Sequence, residues 1–143
     1  MNNDTIMLLR ECNSGCKNAT NSMEQVIGLL HDYNLKNVIK DFNQRHIQLG
    51  DECHNLLNSY GCDEKDPPAV SKIMSFISTE FKMMTDHNTQ KAAEIMMDGC
   101  NMGIKSISSS INRYSGANAE SKALAESVVK LEQDFINALR VFL

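Results

Sequence analysis

The segment CDEKDPPAVSKIMSFISTEFKMMTDHNTQ, residues 62–90, decides how the rest of the chain is arranged. It contains both prolines of the chain, at positions 67 and 68, directly after Asp66. Aspartate is a common N-cap and proline suits the first helical turn, so a short amphipathic helix is predicted over about residues 68–84. The residues TDHNT, 85–89, then predict a break and a new cap. We therefore expect a long connector that contains one short helix.

Long segments with helical periodicity lie on both sides of this connector. Apolar residues recur there at spacings of three and four, as a buried helix face requires. Tight links separate the members of each pair: DYN with Asn34 as the expected N-cap, and a link that follows Gly116. The expected helices span about residues 4–31, 35–60, 90–114 and 118–143.

Two short links and one long connector predict a specific topology. A short link makes two long helices antiparallel neighbours, whereas a long connector can return along the length of a bundle. The expected fold is therefore all-α, a single ferritin-like four-helix bundle over residues 1–143, built from two antiparallel helical hairpins and a crossover. An up-down-up-down bundle with a wandering loop is the alternative.

Three segments carry a resemblance to a known family. They are FNQRHIQLGDECHNLLNSYG (42–61), MMDGCNMGIKSI (96–107) and LEQDFINALRVFL (131–143). With them, essentially the whole chain resembles the small ferritin-like bundles classified as domain of unknown function 2383. The resemblance implies the fold, but it implies no activity because that family is itself uncharacterised.

Composition narrows the expected environment and partners. The chain has 143 residues, is 42% hydrophobic and carries a net charge of −4, with lysine and arginine scattered along it. Binding to nucleic acid or to an anionic membrane surface needs concentrated basic charge, so neither is expected. Its five cysteines are an odd number, which favours reduced thiols in a cytoplasmic protein. We find no secretory signal pattern and no apolar run near the ~20 residues of a membrane span.

A di-iron centre in such a bundle requires two Glu-x-x-His motifs and two further glutamates that face inward. Neither motif is present: Asn43 stands three residues before His46, and Phe135 stands three residues after Glu132. Projection at about 100° per residue places Glu11 at or beyond the edge of the apolar stripe. The other acids of the first three helices are expected at its flank or outside it: Glu24, Glu52, Glu94 and Asp98. A di-iron centre is not expected.

A mixed core site is the remaining metal hypothesis. Cys16, His46, Cys100 and Glu132 are expected at similar heights near the bundle middle. Thiolate, imidazole and carboxylate ligands together would suit zinc, or another transition metal such as iron. The simpler interpretation is a core His46 paired with Glu132 or another buried polar group, among cysteines that act as small apolar residues. Both interpretations remain open.

Two further patterns concern packing and partners. Gly99 and Gly103 form a small-xxx-small pair, which lets a helix approach closely or leaves room for a bulky neighbour. Much of an apolar surface in the connector and the third helix is expected to pack on the bundle, and some of it is expected to form a homodimer face. Its residues are Phe76, Ile77, Phe81, Met83 and Met84 in the connector and Met96, Met97 and Met102 in the third helix.

No set of residues typical of catalysis is found in the sequence, and no cofactor is predicted beyond the possible zinc or iron. The expected function is that of a non-catalytic bundle acting through self-association or a protein partner. A transition-metal-binding bundle for storage, sensing or redox protection is the alternative.

Overall fold

The computed structural model describes residues 2–62, 80 and 88–143. Four long α-helices account for most of these residues: α1 Asn3–Ile27, α2 Tyr33–Ser59, α3 Thr89–Arg113 and α4 Ala119–Leu139. One turn of 3-10 helix, Arg140–Phe142, follows α4. No strand occurs in these described ranges, so the all-helical prediction is confirmed there.

Two sequence predictions fall on other parts of the chain. The connector helix expected over about residues 68–84 lies outside the described residues, apart from Glu80. The connector part of the expected homodimer face, with Phe76, Ile77, Phe81, Met83 and Met84, also lies outside them, whereas Met96 of the third helix is buried and Met97 and Met102 are partly exposed. Both stay predictions.

Each long helix begins at an asparagine or aspartate whose side chain accepts a hydrogen bond from the backbone three residues later, as an N-cap does. The caps are Asn2, Asp32, Asn88 and Asn118. The prediction of Asn34 as the cap of α2 was wrong, since Asp32 accepts from the Leu35 amide at 2.8 Å. The chain turns earlier than expected: α1 ends at Ile27, and Gly28 is its C-cap. Residues 28–32 are needed to reverse the chain before α2 begins.

Hydrogen bonds at one end of the bundle show how the helices are directed. Asp4 accepts from the Gly116 amide at 2.9 Å, and Thr5 Oγ1 accepts from the Asn118 amide at 2.9 Å. The Asn118 side-chain amide donates to the Tyr60 hydroxyl at 3.3 Å. The start of α1, the end of α2, the end of α3 and the start of α4 therefore meet at this end. It follows that α1 and α4 run in one direction, and α2 and α3 in the other.

The core lies between the two hairpins. Helix α1 packs along α2, and α3 along α4; the hairpins meet through α2–α4 and α1–α4 and more sparsely through α1–α3. Burial of the apolar faces stabilises this arrangement at about 25 cal/mol per Å² of apolar area. The described helices include none with the length and apolar character that a membrane crossing demands. The largest fully buried apolar side chains are Phe135, Leu8, Leu9, Met23, Leu35, Ile39, Leu57 and Leu139.

Candidate functional site

His46 lies in the middle of the buried face of α2. The neighbouring buried positions, Ile39, Phe42 and Cys53, are spaced by three, four and seven residues, so helical periodicity alone turns the imidazole inward. Only 1% of the residue is exposed. Its Nδ1–H donates to the carbonyl oxygen of Phe42, one turn earlier, at 2.7 Å. This bond fixes the ring and directs Nε2 across the core.

Glu132, on the opposite hairpin, contacts Nε2 of His46. It lies on the inner face of α4, one turn after Val128 and almost one turn before Phe135, and is 7% exposed. Oε1 is the atom that makes this contact. The expected pairing of His46 with Glu132 is therefore confirmed, and it joins α2 to α4 at the centre of the bundle.

The hydrogen bond to Phe42 decides the protonation of this pair. A carbonyl oxygen only accepts, so Nδ1 carries a proton, and Nε2 needs a second one to donate to a carboxylate. Burial alone would lower the pKa of His46. The hydrogen bond and negative charge of Glu132, with the Phe42 carbonyl, outweigh burial and raise the pKa above its ordinary value. Below this raised pKa the pair is an imidazolium–carboxylate ion pair that is neutral as a unit.

Two of the predicted cysteine ligands lie near the same carboxylate. The Cys100 thiol hydrogen-bonds to Glu132, and burial with the Glu132 charge raises its pKa well above the ordinary value. Cys16 is 1% exposed, and its pKa is raised well above the ordinary value by burial, by Cys53 and by Glu132. Both thiols are therefore protonated at neutral pH, when they behave as small apolar groups. The structure thus brings His46 and Cys100 against Glu132, and the Glu132 charge also acts on Cys16.

The proximity of these side chains does not by itself make a metal-binding arrangement. Within residues 2–62 and 88–143, no group of three or more histidine, cysteine, aspartate or glutamate side chains is arranged to hold a metal ion. Glu24, Glu52 and Asp98 are exposed and Glu94 is partly exposed, as expected from the helical projection. The mixed metal site made of Cys16, His46, Cys100 and Glu132 stays a prediction.

Glu11 departs from the sequence prediction. It was expected at or beyond the edge of the apolar stripe, yet it is only 7% exposed. The reason is that α1 packs against three helices and buries a wider arc than its apolar stripe, including Asn13, Ser14 and Ser22. Burial raises the pKa of Glu11, while the positive charge of Arg113 partly opposes that rise.

A cavity of about 60 Å³ lies beside the ion pair, between α1 and α3. His46, Cys100 and Glu132 form part of its lining, and Ser22 and Asn18 line the α1 side. The sequence indication for this region is the glycine pair Gly99 and Gly103, which predicts either the close approach of a helix or room for a bulky neighbour.

No protein family, curated protein or solved structure matches this chain. Its resemblance to the domain-of-unknown-function 2383 bundles therefore stays a prediction, and the geometry of the described residues is what supports a function.

Proposed function

We propose that this chain is a non-catalytic, ferritin-like bundle that acts through self-association. The parallel directions of α2 and α3 support the ferritin-like part of the proposal. Helix α2 ends at the end of the bundle where α3 also ends, so a chain that continues into α3 has to return along the bundle, as a crossover does.

Exposed apolar side chains at one end of the bundle carry the proposal of self-association. Tyr33 and Val141 are 75% and 82% exposed, and Leu29 and Leu143 are 39% and 53% exposed. These four residues lie where α1 and α4 end and α2 begins. We call the surface that they form the apolar end. Monomeric proteins rarely cluster exposed apolar groups, and such patches commonly mark interfaces.

A second copy of the chain is the occupant that this surface favours. Charges of both signs flank the apolar end, with Asp32 at the start of α2 and Arg140 after α4. A two-fold axis places the same patch of each copy against the other, so that Asp32 of one copy can approach Arg140 of the other. This symmetric arrangement buries the apolar groups and pairs the flanking charges.

Molar mass measured by light scattering tests the proposal. We expect a dimer for the wild-type chain and a monomer for the double variant Tyr33→Ser/Val141→Ser. Met102→Ser is the control and should remain a dimer, since Met102 is partly exposed and lies in the second half of α3, away from the apolar end where that helix begins. A wild-type monomer at micromolar to millimolar concentration would refute self-association through this end.

A second candidate function, binding of a transition metal, is favoured by the orientation of His46. Metal-binding histidines almost always donate their other ring N–H to a carbonyl or carboxylate, as Nδ1 does here to Phe42. Nε2 of His46 contacts Glu132, the Glu132 charge acts on the thiols of Cys100 and Cys16, and these four side chains would supply the ligands. Zinc or ferrous iron there would replace the proton between His46 and Glu132 and would release the thiol proton of Cys100.

Metal content of protein purified without a histidine tag tests this second candidate. Stoichiometric zinc or iron that is lost in His46→Ala and Glu132→Ala, but kept in Cys62→Ser, supports the core site. Wild-type protein that takes up neither metal on dialysis against it would eliminate the candidate.

A further inference from the structure

The cavity beside the ion pair is bounded by small residues on two facing helices. Gly15, Ala19 and Ser22 follow one another at helical spacing on α1, and Gly99 and Gly103 do so on α3. Protein interiors seldom leave voids larger than a water molecule. The 60 Å³ of space lies between these two rows of small residues. Larger apolar side chains complete the wall: Met23, Met96, Ile107, Val128 and Phe135.

Two polar atoms on the α1 wall lack hydrogen-bond partners among the described residues. They are Oγ of Ser22, whose residue is 2% exposed, and Nδ2 of Asn18. Buried polar groups are normally paired, and an unpaired one is costly. Since both atoms belong to residues that line the cavity, a molecule inside it has two hydrogen bonds available to it.

The charge of the lining limits what that molecule is. Glu132 is already neutralised by His46, so a cation gains no free counter-charge, while an anion would face the Glu132 carboxylate. Most of the remaining wall is apolar, and a charged group buried there would be strongly disfavoured. The fitting occupant is neutral.

The hydrogen-bonding groups and the volume of the cavity define this occupant further. The Asn18 amide nitrogen only donates, whereas the Ser22 hydroxyl donates and accepts. A hydroxyl oxygen satisfies both, because it accepts from the amide and exchanges a hydrogen bond with the serine. With roughly 10–15 Å³ for each water-sized sphere, the cavity holds about four to six heavy atoms. We propose that it binds a short-chain alcohol, with the hydroxyl between Ser22 and Asn18 and the alkyl chain against Met23 and Met96.

Methyl NMR of 13C-labelled methionines tests the proposal with 1-butanol as the probe. The Met23 and Met96 signals should shift saturably at millimolar butanol, while Met7 and Met102, which do not line the cavity, stay in place. Butyrate, which carries a negative charge on a chain of similar length, should leave all four signals unchanged. Equal responses to both probes, or butanol shifts at all four methionines alike, would overturn the proposal.

Two variants test separately the hydrogen bond to the alcohol hydroxyl and the cavity volume that the alcohol occupies. Ser22→Ala removes the hydroxyl without adding bulk to the cavity, so butanol should bind roughly 2- to 10-fold more weakly. Ala19→Leu fills the cavity and should abolish the shifts, and Ser109→Ala, at an exposed site on α3, should change nothing. If either cavity variant unfolds, the comparison of butanol with butyrate on the wild-type protein still decides. Wild-type protein that holds only ordered water in butanol-soaked crystals would also refute the site.

Discussion

His46 Nε2 contacts Glu132 Oε1 across the centre of the bundle, and this contact is a buried polar link between the hairpin of α1 and α2 and that of α3 and α4. Both partners are buried, and the second ring nitrogen is fixed by the Phe42 carbonyl. A buried ion pair of this kind adds little net stability compared with apolar residues of similar size. Removal of only one partner is strongly destabilising, because the charge of the other partner stays unpaired in the core.

We therefore expect Glu132→Ala to lower the free energy of unfolding by about 3–5 kcal/mol. The double variant His46→Leu/Glu132→Leu should recover most of this loss, since no buried charge remains. Asp134→Ala removes the partner of Lys130 in an exposed pair on the same helix, and it should cost under about 1 kcal/mol. Urea unfolding measures all three, and equal losses in Glu132→Ala and Asp134→Ala would contradict the buried pair.

The pH dependence of stability follows from the raised pKa of His46. A group that binds its proton more tightly in the folded state stabilises that state fully below the unfolded pKa, about 6.5 for histidine. That contribution is lost as pH rises through the folded pKa. The unfolding free energy of the wild type should thus fall from pH 6.5 upward, more steeply than that of His46→Gln. Parallel curves for the two proteins would show that His46 does not titrate as inferred.

Thiol labelling should divide the five cysteines into one accessible and four protected residues. Cys62 is partly exposed after α2, whereas Cys12, Cys16, Cys53 and Cys100 are buried. Burial also raises the pKa of Cys16 and Cys100, and alkylation requires the thiolate. We expect iodoacetamide to modify Cys62 first in native protein and the other four only in urea. Early modification of Cys100, identified by peptide mass, would contradict the packing of α3 against α4.

The sequence predicts the positions of His46 and Glu132 because each lies at the centre of a single apolar stripe, where a spacing of 3.6 residues determines direction. Glu11 was mispredicted because α1 has neighbours on several sides and buries polar residues beyond its stripe. The cavity was not predictable either, because whether small residues close a gap or leave one depends on the distance between helices. Periodicity gives a residue's direction, and only the packed structure gives that distance.

Glu11 provides a test of this wider buried arc. A raised pKa means that the folded state disfavours the carboxylate, and the penalty is complete above the folded pKa and absent below the ordinary value of 4.5. Glu11→Gln should therefore raise stability at pH 7, by under about 1 kcal/mol, and leave it nearly unchanged at pH 4. Glu126→Gln, at an exposed position on α4, serves as the control. A loss of stability at pH 7 in Glu11→Gln would show that the attraction to Arg113 dominates.

Replacement of Gly50 and of Gly28 by alanine should have opposite effects on stability, because only Gly50 lies where α1 packs closely on α2. A Cβ on Gly50 would lie 3.2 Å from the Cβ of Cys16, and that atom cannot move without shifting α1. The helix-propensity gain of about 1 kcal/mol on replacing glycine by alanine is thus set against an overpacking cost of about 1–3 kcal/mol, so Gly50→Ala should destabilise by about 1 kcal/mol. On Gly28 a Cβ meets nothing closer than the Gln25 carbonyl oxygen at 3.8 Å, and φ is −67°. Gly28→Ala should stabilise by about 0.4–1 kcal/mol. Thermal unfolding of the two variants should therefore shift in opposite directions, and a stabilised Gly50→Ala would mean that α1 and α2 lie farther apart than the structure has them.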